Sequence, residues 1–204
     1  MAKTKIAVLV SGGGTNLQAL IDAQGSVLNS GKITLVVANN AGAYALERAK
    51  KAGIDTAVVL KKECGSQEAF ETRLMEVLDE NGIDIIILAG FMTILTERFT
   101  GHYPKRILNV HPSLIPSFCG EGFYGLRVHE EALKYGVKVT GATVHFVNEI
   151  PDGGEILLQK AVNIPEGIDA SGLQKLVMEE AEWILLPAAA EQVSGEIVRK
   201  RNET

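Results

Sequence analysis

What most limits the folds open to this chain is a rhythm in its first 110 residues. Short runs rich in Val, Ile and Leu recur at Ile6 to Val10, Ile33 to Ala38, Thr56 to Leu60, Ile85 to Ala89 and Ile107 to Val110. Runs of this length with little polar interruption suit strands buried on both faces. Segments of helical length separate them. The clearest puts Phe70, Leu74, Val77 and Leu78 on one stripe of a helix from about Ser66 to Glu80, stopped by Asn81-Gly82. Alternation of this kind predicts an α/β fold: an open, mostly parallel twisted sheet with helices on both faces, built from βαβ units.

After Val110 the rhythm breaks. A Pro/Ser/Gly-rich loop runs from His111 to Tyr124, followed by a helix around Leu126 to Tyr135. Val139 to Val147 and Ile156 to Val162 read as strands flanking the turn sequence Glu149-Ile-Pro-Asp-Gly-Gly154, an antiparallel C-terminal extension of the sheet. Ser171 and Gln174 read as a capping box for a final helix with Leu173, Leu176, Val177, Ile184 and Leu185 as its apolar stripe. With no repeat, linker or low-complexity tract, residues 1–204 are expected to form a single domain, with halves at about 1–110 and 111–204.

Composition narrows the function classes. Hydrophobic residues at 46% and charged residues at 22% describe a globular chain, not a disordered one. A formal charge of −5 argues against a surface that neutralises many nucleic-acid phosphates. The apolar run at the N-terminus is only five residues long, too short for a signal-peptide core, and no run approaches a membrane span. Cys64 and Cys119 are too few for a disulfide framework, and the four histidines show no metal-ligand spacing. The expectation is a cytoplasmic protein with no metal, nucleic-acid or membrane partner.

Three constellations can carry chemistry. Ser11-Gly-Gly-Gly-Thr-Asn16 lies between the first strand and the first helix, where glycines bring backbone N–H groups and a helix N-terminus against an anion. It lacks the third glycine of the dinucleotide fingerprint, where Leu17 stands, and the Gly-Lys-Ser/Thr of a nucleotide P-loop. A small phosphate ester and a plain tight turn both remain compatible with it. Asn109-Val-His111-Pro-Ser113 ends the fifth strand. Residues at i and i+2 share a strand face, so Asn109 and His111 project together at the edge where open α/β sheets bind ligands, although an inert strand end fits as well. An amide beside an imidazole can stabilise an oxyanion and move a proton. Asp152, in Pro151-Asp-Gly-Gly154, is by itself a turn residue; beside His111 it would fix the imidazole tautomer and favour its charged form. His145 reads as a packed, hydrogen-bonded histidine, His102 as a loop position, His129 as an exposed helix position and Cys119 as a structural thiol.

Taken together, the glycine loop, Leu88-Ala-Gly-Phe-Met-Thr-Ile-Leu95, Leu108-Asn-Val-His-Pro-Ser-Leu-Ile-Pro116 and Gly141-Ala-Thr-Val-His-Phe-Val147 with Asp152-Gly-Gly154 resemble the folate-dependent formyltransferases, and among them the phosphoribosylglycinamide formyltransferases. The likeness runs from Lys5 to about Ala190. It implies the formyltransferase fold and an enzyme that moves the formyl group of 10-formyltetrahydrofolate to the amine of glycinamide ribonucleotide in purine biosynthesis, as a monomer or homodimer, without a metal. It assigns the ribonucleotide to Gly13, Gly14, Thr15, Asn16 and Glu182, and the folate to Gln67, Phe91, Met92, Thr93, Ile94, Leu95, Asn109, Asn148 and Glu149. Asn109, His111 and Asp152 match the catalytic set, with protonated His111 and the Asn109 amide holding the oxyanion and Asp152 keeping His111 charged. By the same likeness, residues 1–110 carry the phosphate side and 111–204 the folate and catalytic side.

The pattern departs from the resemblance at Gln67 and Thr93, where many members carry arginine, at Glu179, where an acid near a substrate phosphate would repel it, and in a longer loop from 117 to 124. A deformylase-like hydrolase and an inactive phosphate-ligand-binding module are the competing readings; three intact catalytic matches count against the module.

Overall fold

Seven strands form where the aliphatic runs lie: β1 (Thr4–Val10), β2 (Gly31–Ala38), β3 (Asp55–Val58), β4 (Ile85–Leu88), β5 (Ile107–His111), β6 (Val139–Phe146) and β7 (Ile156–Asn163). In the computed structural model, which describes residues 2–203, they make one sheet in the order β3-β2-β1-β4-β5-β6-β7. Pairings from β3 through β5 are parallel, and those of β5 with β6 and β6 with β7 are antiparallel. The helices are α1 (Thr15–Asp22), α2 (Tyr44–Lys51), α3 (Lys61–Cys64), α4 (Gln67–Glu80), α5 (Glu97–His102), α6 (Leu126–Tyr135), α7 (Ala170–Val177) and α8 (Trp183–Asn202), the last two joined by a π-helical turn, Met178–Glu182.

The period of two along β1 explains the absence of polar alternation. Ile6, Val8 and Val10 enter a core with residues of α1, α2, α7 and α8, while Ala7 and Leu9 enter a second core with Phe70, Leu74 and Leu78 of α4 and Phe99 of α5. Both faces are apolar because both are covered. The α4 stripe is the one the spacing predicts, and Ser66 caps that helix by accepting from the Ala69 N–H. Glu71, on the same helix, is also buried, which its spacing does not announce.

The second half of the chain corrects several expectations. The cap of α7 is Asp169, whose carboxylate accepts the Gly172 N–H at 2.7 Å; Ser171 lies inside the helix, so the Ser171/Gln174 capping box does not form. The stripe is also broken by the π turn, whose extra residue rotates α8 relative to α7. Ile184 is therefore exposed, and Ala181, Leu186, Ala189 and Ala190 take the buried positions. His129, read as exposed, is fully buried on α6, with neither ring nitrogen hydrogen-bonded. In the first half, His102 ends α5 rather than lying in a loop.

Asp169→Ala should cost about 1 kcal/mol and lower Tm by roughly 2–4 °C, whereas Ser171→Ala should change stability by less than about 0.5 kcal/mol; thermal scans of the two variants check this. Burial, helped by the nearby His111, lowers the His129 pKa to about 4. Between that value and the unfolded histidine's ~6.5, the unfolded chain binds the extra proton. Stability is thus retained above that window and lost as pH falls through it. Denaturant titrations from pH 7 to pH 4 should show a shallower loss in His129→Phe than in the wild type.

Candidate active site

The sheet brings polar groups together at one edge. β1 and β4 are neighbours whose connections leave in opposite directions, β1 toward β2 and β4 toward β5, so the crevice beyond their C-terminal ends is a topological switch point. The glycine loop comes after β1, residues 89–96 come after β4, and Asn109 and His111 finish β5. The turn carrying Asp152 comes back from β6.

Gly14 opens α1 in the left-handed region (φ 72°), and a Cβ there would lie 2.6 Å from the Ala45 Cβ, so only glycine fits. The Gly12 carbonyl accepts from the Ala45 N–H and the Gly13 carbonyl from Arg48 Nε, at 3.1 and 2.8 Å. No side chain caps the α1 N-terminus. Asn16, in its first turn, donates from Nδ2 to Glu182 Oε2 at 2.8 Å; its own Oδ1 is buried without a partner. Glu182 is 6% exposed, and burial raises its carboxyl pKa against the opposing Asn16 hydrogen bond.

Asp152 is the hub of the opposite side. Its backbone is left-handed (φ 55°), and its carboxylate reaches four groups. Oδ2 accepts the Gly120 N–H at 2.9 Å and lies 3.4 Å from His111 Nδ1; Oδ1 lies 3.5 Å from both His145 Nε2 and Asn109 Nδ2. Burial alone would raise the Asp152 carboxyl, but the hydrogen bond from His145, the His111 charge and the Gly120 N–H outweigh it and hold it below the usual carboxylate value. His111 shows the reverse balance. Burial lowers its pKa more than Asp152 and the Phe118 carbonyl, 2.8 Å from Nε2, raise it. Asp152 favours the imidazolium as expected, and burial opposes it more strongly.

Two cavities meet at this cluster. A narrow cleft of about 130 Å³ is walled by Leu88, Leu95, Val147 and Ile150, with Asn148 and Glu149 at its polar side. A larger one of about 700 Å³, within the range of small-molecule sites, is bounded by Asn16, Met92, His111, residues 120–125, Gln174, Met178 and Glu182. Phe91, Thr93, Ile94, Asn109, Pro151 and Asp152 line both. Each cavity thus draws walls from both sides of residue 110.

Most of the residues expected at the site reach it. Asn109, His111 and Asp152 converge; Phe91, Thr93, Ile94, Leu95, Asn148 and Glu149 line the cleft, and Met92 and Asn16 the larger cavity with Glu182. Gly13, Gly14 and Thr15 precede Asn16 but form no wall. Gln67 also stands behind the wall: its Nε2 donates to Glu71 and to the Ile94 carbonyl. Thr93 is engaged by Asn39, which donates to its Oγ1 at 2.8 Å. Glu179 turns outward, 3.8 Å from Lys175 Nζ, and lines neither cavity. Cys119 donates to the Pro116 carbonyl, and burial with the Asp152 charge pushes its thiol up, away from reactive thiolate.

His145 is the residue the sequence undervalued. It is buried and hydrogen-bonded as expected, but its partners are the catalytic candidates: Nε2 lies 3.2 Å from Asn109 Nδ2, while Nδ1–H donates to the Phe146 carbonyl. The antiparallel register sets His145 directly opposite Asn109, and the irregularity in the β6–β7 pairing falls at this residue. Among the described residues no group of three His, Cys, Asp or Glu side chains could hold a metal ion, and no helix is long and apolar enough to cross a membrane.

Comparisons with known proteins agree with this geometry. The formyl transferase family model matches residues 4–189. The phosphoribosylglycinamide formyltransferase of Haemophilus influenzae is 46% identical over 160 residues, 78% of this chain and 73% of that protein. The trifunctional purine biosynthetic protein adenosine-3 of Bos taurus is 43% identical over 97% of this chain, which spans about a fifth (19%) of that protein's length. The crystal structure of glycinamide ribonucleotide transformylase 1 from Symbiobacterium toebii superposes with a TM-score of 0.88 at 39% identity, covering 95% of this chain and 89% of the other. That of phosphoribosylglycinamide formyltransferase from Brucella melitensis gives 0.86 at 39% identity, covering 95% and 96%. Family likeness over nearly the whole chain, with an Asn-x-His strand end and a buried aspartate gathered where two cavities meet, places this protein in the formyl transferase family, among the phosphoribosylglycinamide formyltransferases.

Proposed function

We propose that this chain transfers the formyl group of 10-formyltetrahydrofolate to the amine of glycinamide ribonucleotide, with Asn109, His111 and Asp152 as the catalytic set. One observation carries the reading: Asn109 and Asp152 belong to the walls of both cavities, so a donor in the narrow cleft and an acceptor in the larger cavity meet at these side chains. The cleft's aliphatic walls and its Asn148–Glu149 side suit a flat heterocycle with polar edges. The larger cavity has the α1 N-terminus on one side, where N–H groups suit a phosphate. The unpartnered Asn16 Oδ1 and the carboxylate of Glu182 suit hydroxyl donors of a ribose.

These positions define the reaction. The neutral amine nitrogen attacks the formyl carbon, a C–N bond forms, and the carbonyl pair moves to oxygen. The Asn109 amide donates to that oxygen. Its resting contacts, at 3.2 and 3.5 Å, are long enough to exchange for an oxyanion. In the reactive form His111 is the imidazolium, which donates to the same oxygen and keeps its proton throughout; Asp152 stabilises that charge against the burial that opposes it. Both His111 nitrogens are occupied at rest, so the oxygen must displace the Phe118 carbonyl, a demand on the 117–124 loop. Collapse expels the folate nitrogen, which takes the proton released by the amine. His145 Nε2 lies between the Asn109 amide and the Asp152 carboxylate, within 3.2 and 3.5 Å of them. No step calls for a metal. The chain acts as one domain in this proposal, as a monomer or homodimer in the cytoplasm.

Incubating the protein with 10-formyltetrahydrofolate, with and without glycinamide ribonucleotide, tests the reading. Formyl loss that requires the ribonucleotide and yields formylated product is expected; formate released without it would identify a hydrolase instead. Asn109→Ala should lower kcat by about a hundredfold or more in the same assay. Asp152→Asn removes the charge that raises the His111 pKa. The alkaline limb of kcat/KM against pH, set by loss of the His111 proton, should move to lower pH, with turnover at neutral pH down about a hundredfold. An unchanged profile would remove Asp152 from the mechanism.

A further inference from the structure

One buried ionisable side chain has no part in the chemistry above. Glu71 lies on α4 with 1% exposure, among Phe70, Leu74 and Leu78 of the core. Its carboxylate takes three hydrogen bonds: from Gln67 Nε2 at 2.7 Å, from the Thr96 N–H at 2.8 Å and from Thr96 Oγ1 at 2.6 Å. Gln67 Nε2 also donates to the Ile94 carbonyl, at 3.0 Å. All of these bonds bear on residues 89–96, a stretch between β4 and α5 that belongs to no helix or strand.

That stretch is the shared wall of the two cavities, through Phe91, Thr93 and Ile94. Without a regular backbone ladder, its shape depends on side chains from elsewhere. Ser11 Oγ accepts the Met92 N–H at 2.9 Å at one end, and Asn39 donates to Thr93 in the middle. Glu71 holds the other end, where Leu95 turns into the core and Ile94 stands out, 66% exposed. An aliphatic residue would fill this α4 position at less desolvation cost than a carboxylate. What the carboxylate adds is a fixed geometry for two successive donors of Thr96 and for the amide that grips Ile94.

We propose that Glu71 is a positioning residue for the folate cosubstrate: through Gln67 and Thr96 it sets residues 93–96 as the wall of the narrow cleft. This rests on the reading of that cleft as the folate site. Glu71→Leu roughly keeps the size and removes both acceptor oxygens from the Thr96 and Gln67 donors. Thr96→Val keeps the branched shape and removes the hydroxyl alone.

Steady-state kinetics on the full chain, varying each substrate in turn, tests the proposal. In Glu71→Leu the KM for 10-formyltetrahydrofolate should rise about tenfold, with kcat and the KM for the ribonucleotide within about twofold. Thr96→Val should raise the folate KM about threefold in the same selective way. A merely structural defect reduces the fraction of active protein, and hence Vmax, without changing KM. A fall in Vmax alone, or parallel rises in both KM values, would overturn the proposal. So would unchanged kinetics in a wild type that turns over normally. A wild type that does not use 10-formyltetrahydrofolate would overturn the folate assignment as well, which separates the two failures.

Discussion

A parallel sheet covered on both faces leaves little room for polar chemistry in its interior, and that constraint shapes everything here. The central strands β1 and β4 are almost wholly apolar because α1 and α8 lie over one face and α4 over the other. The polar groups of the site therefore gather where strands stop. Asn109 and His111 occupy the last positions of β5 at which a side chain still has a fixed direction, and His145 is set by pairing with Asn109. The site is precise because its polar residues stand on rigid elements, and it is accessible because they stand at the ends of those elements.

At that edge Asp152 faces a balance that neither burial nor pairing settles alone. Removing a carboxylate from water opposes its charge, yet the Gly120 N–H and two imidazoles favour it, and they win. For His111 the same surroundings fall the other way. The two groups are coupled in one pocket with opposite outcomes: a favoured anion beside an imidazole whose charged form burial opposes. The left-handed backbone at Asp152 is the conformational cost of pointing one short side chain at four partners.

Legibility in the sequence tracked the range of the interactions. The strands and α4 could be read because burial of a regular element imposes a period. The glycine loop could be read because Gly14 has a local backbone requirement, and the Asn-x-His strand end because i and i+2 share a face. Asp152 was a turn residue until the family likeness placed it. His145, His129 and Glu71 were not legible as they stand, for a common reason. Each depends on a neighbour far away in the chain: Asn109 across an antiparallel register, the packing over α6, and Thr96 after the next strand. The Ser171/Gln174 pattern misled because Asp169, two residues earlier, had the backbone geometry to cap first.

The π turn settles the charge question raised by Glu179. On a regular α-helix, residues three apart lie on nearly the same face, so Glu179 and Glu182 would both have turned toward the larger cavity. The wider turn advances each residue by less than the ~100° of an α-helix, so three residues fall well short of a full rotation. Glu182 is buried at the cavity beside Asn16, and Glu179 stands in solvent near Lys175. One inserted residue therefore separates a buried acid at the cavity from an acid in solvent. It also bears on the formal charge of −5: with Glu179 turned outward beside Lys175, an anion proposed at the start of α1 would meet neutral N–H donors, with Arg48 close by, rather than an acid.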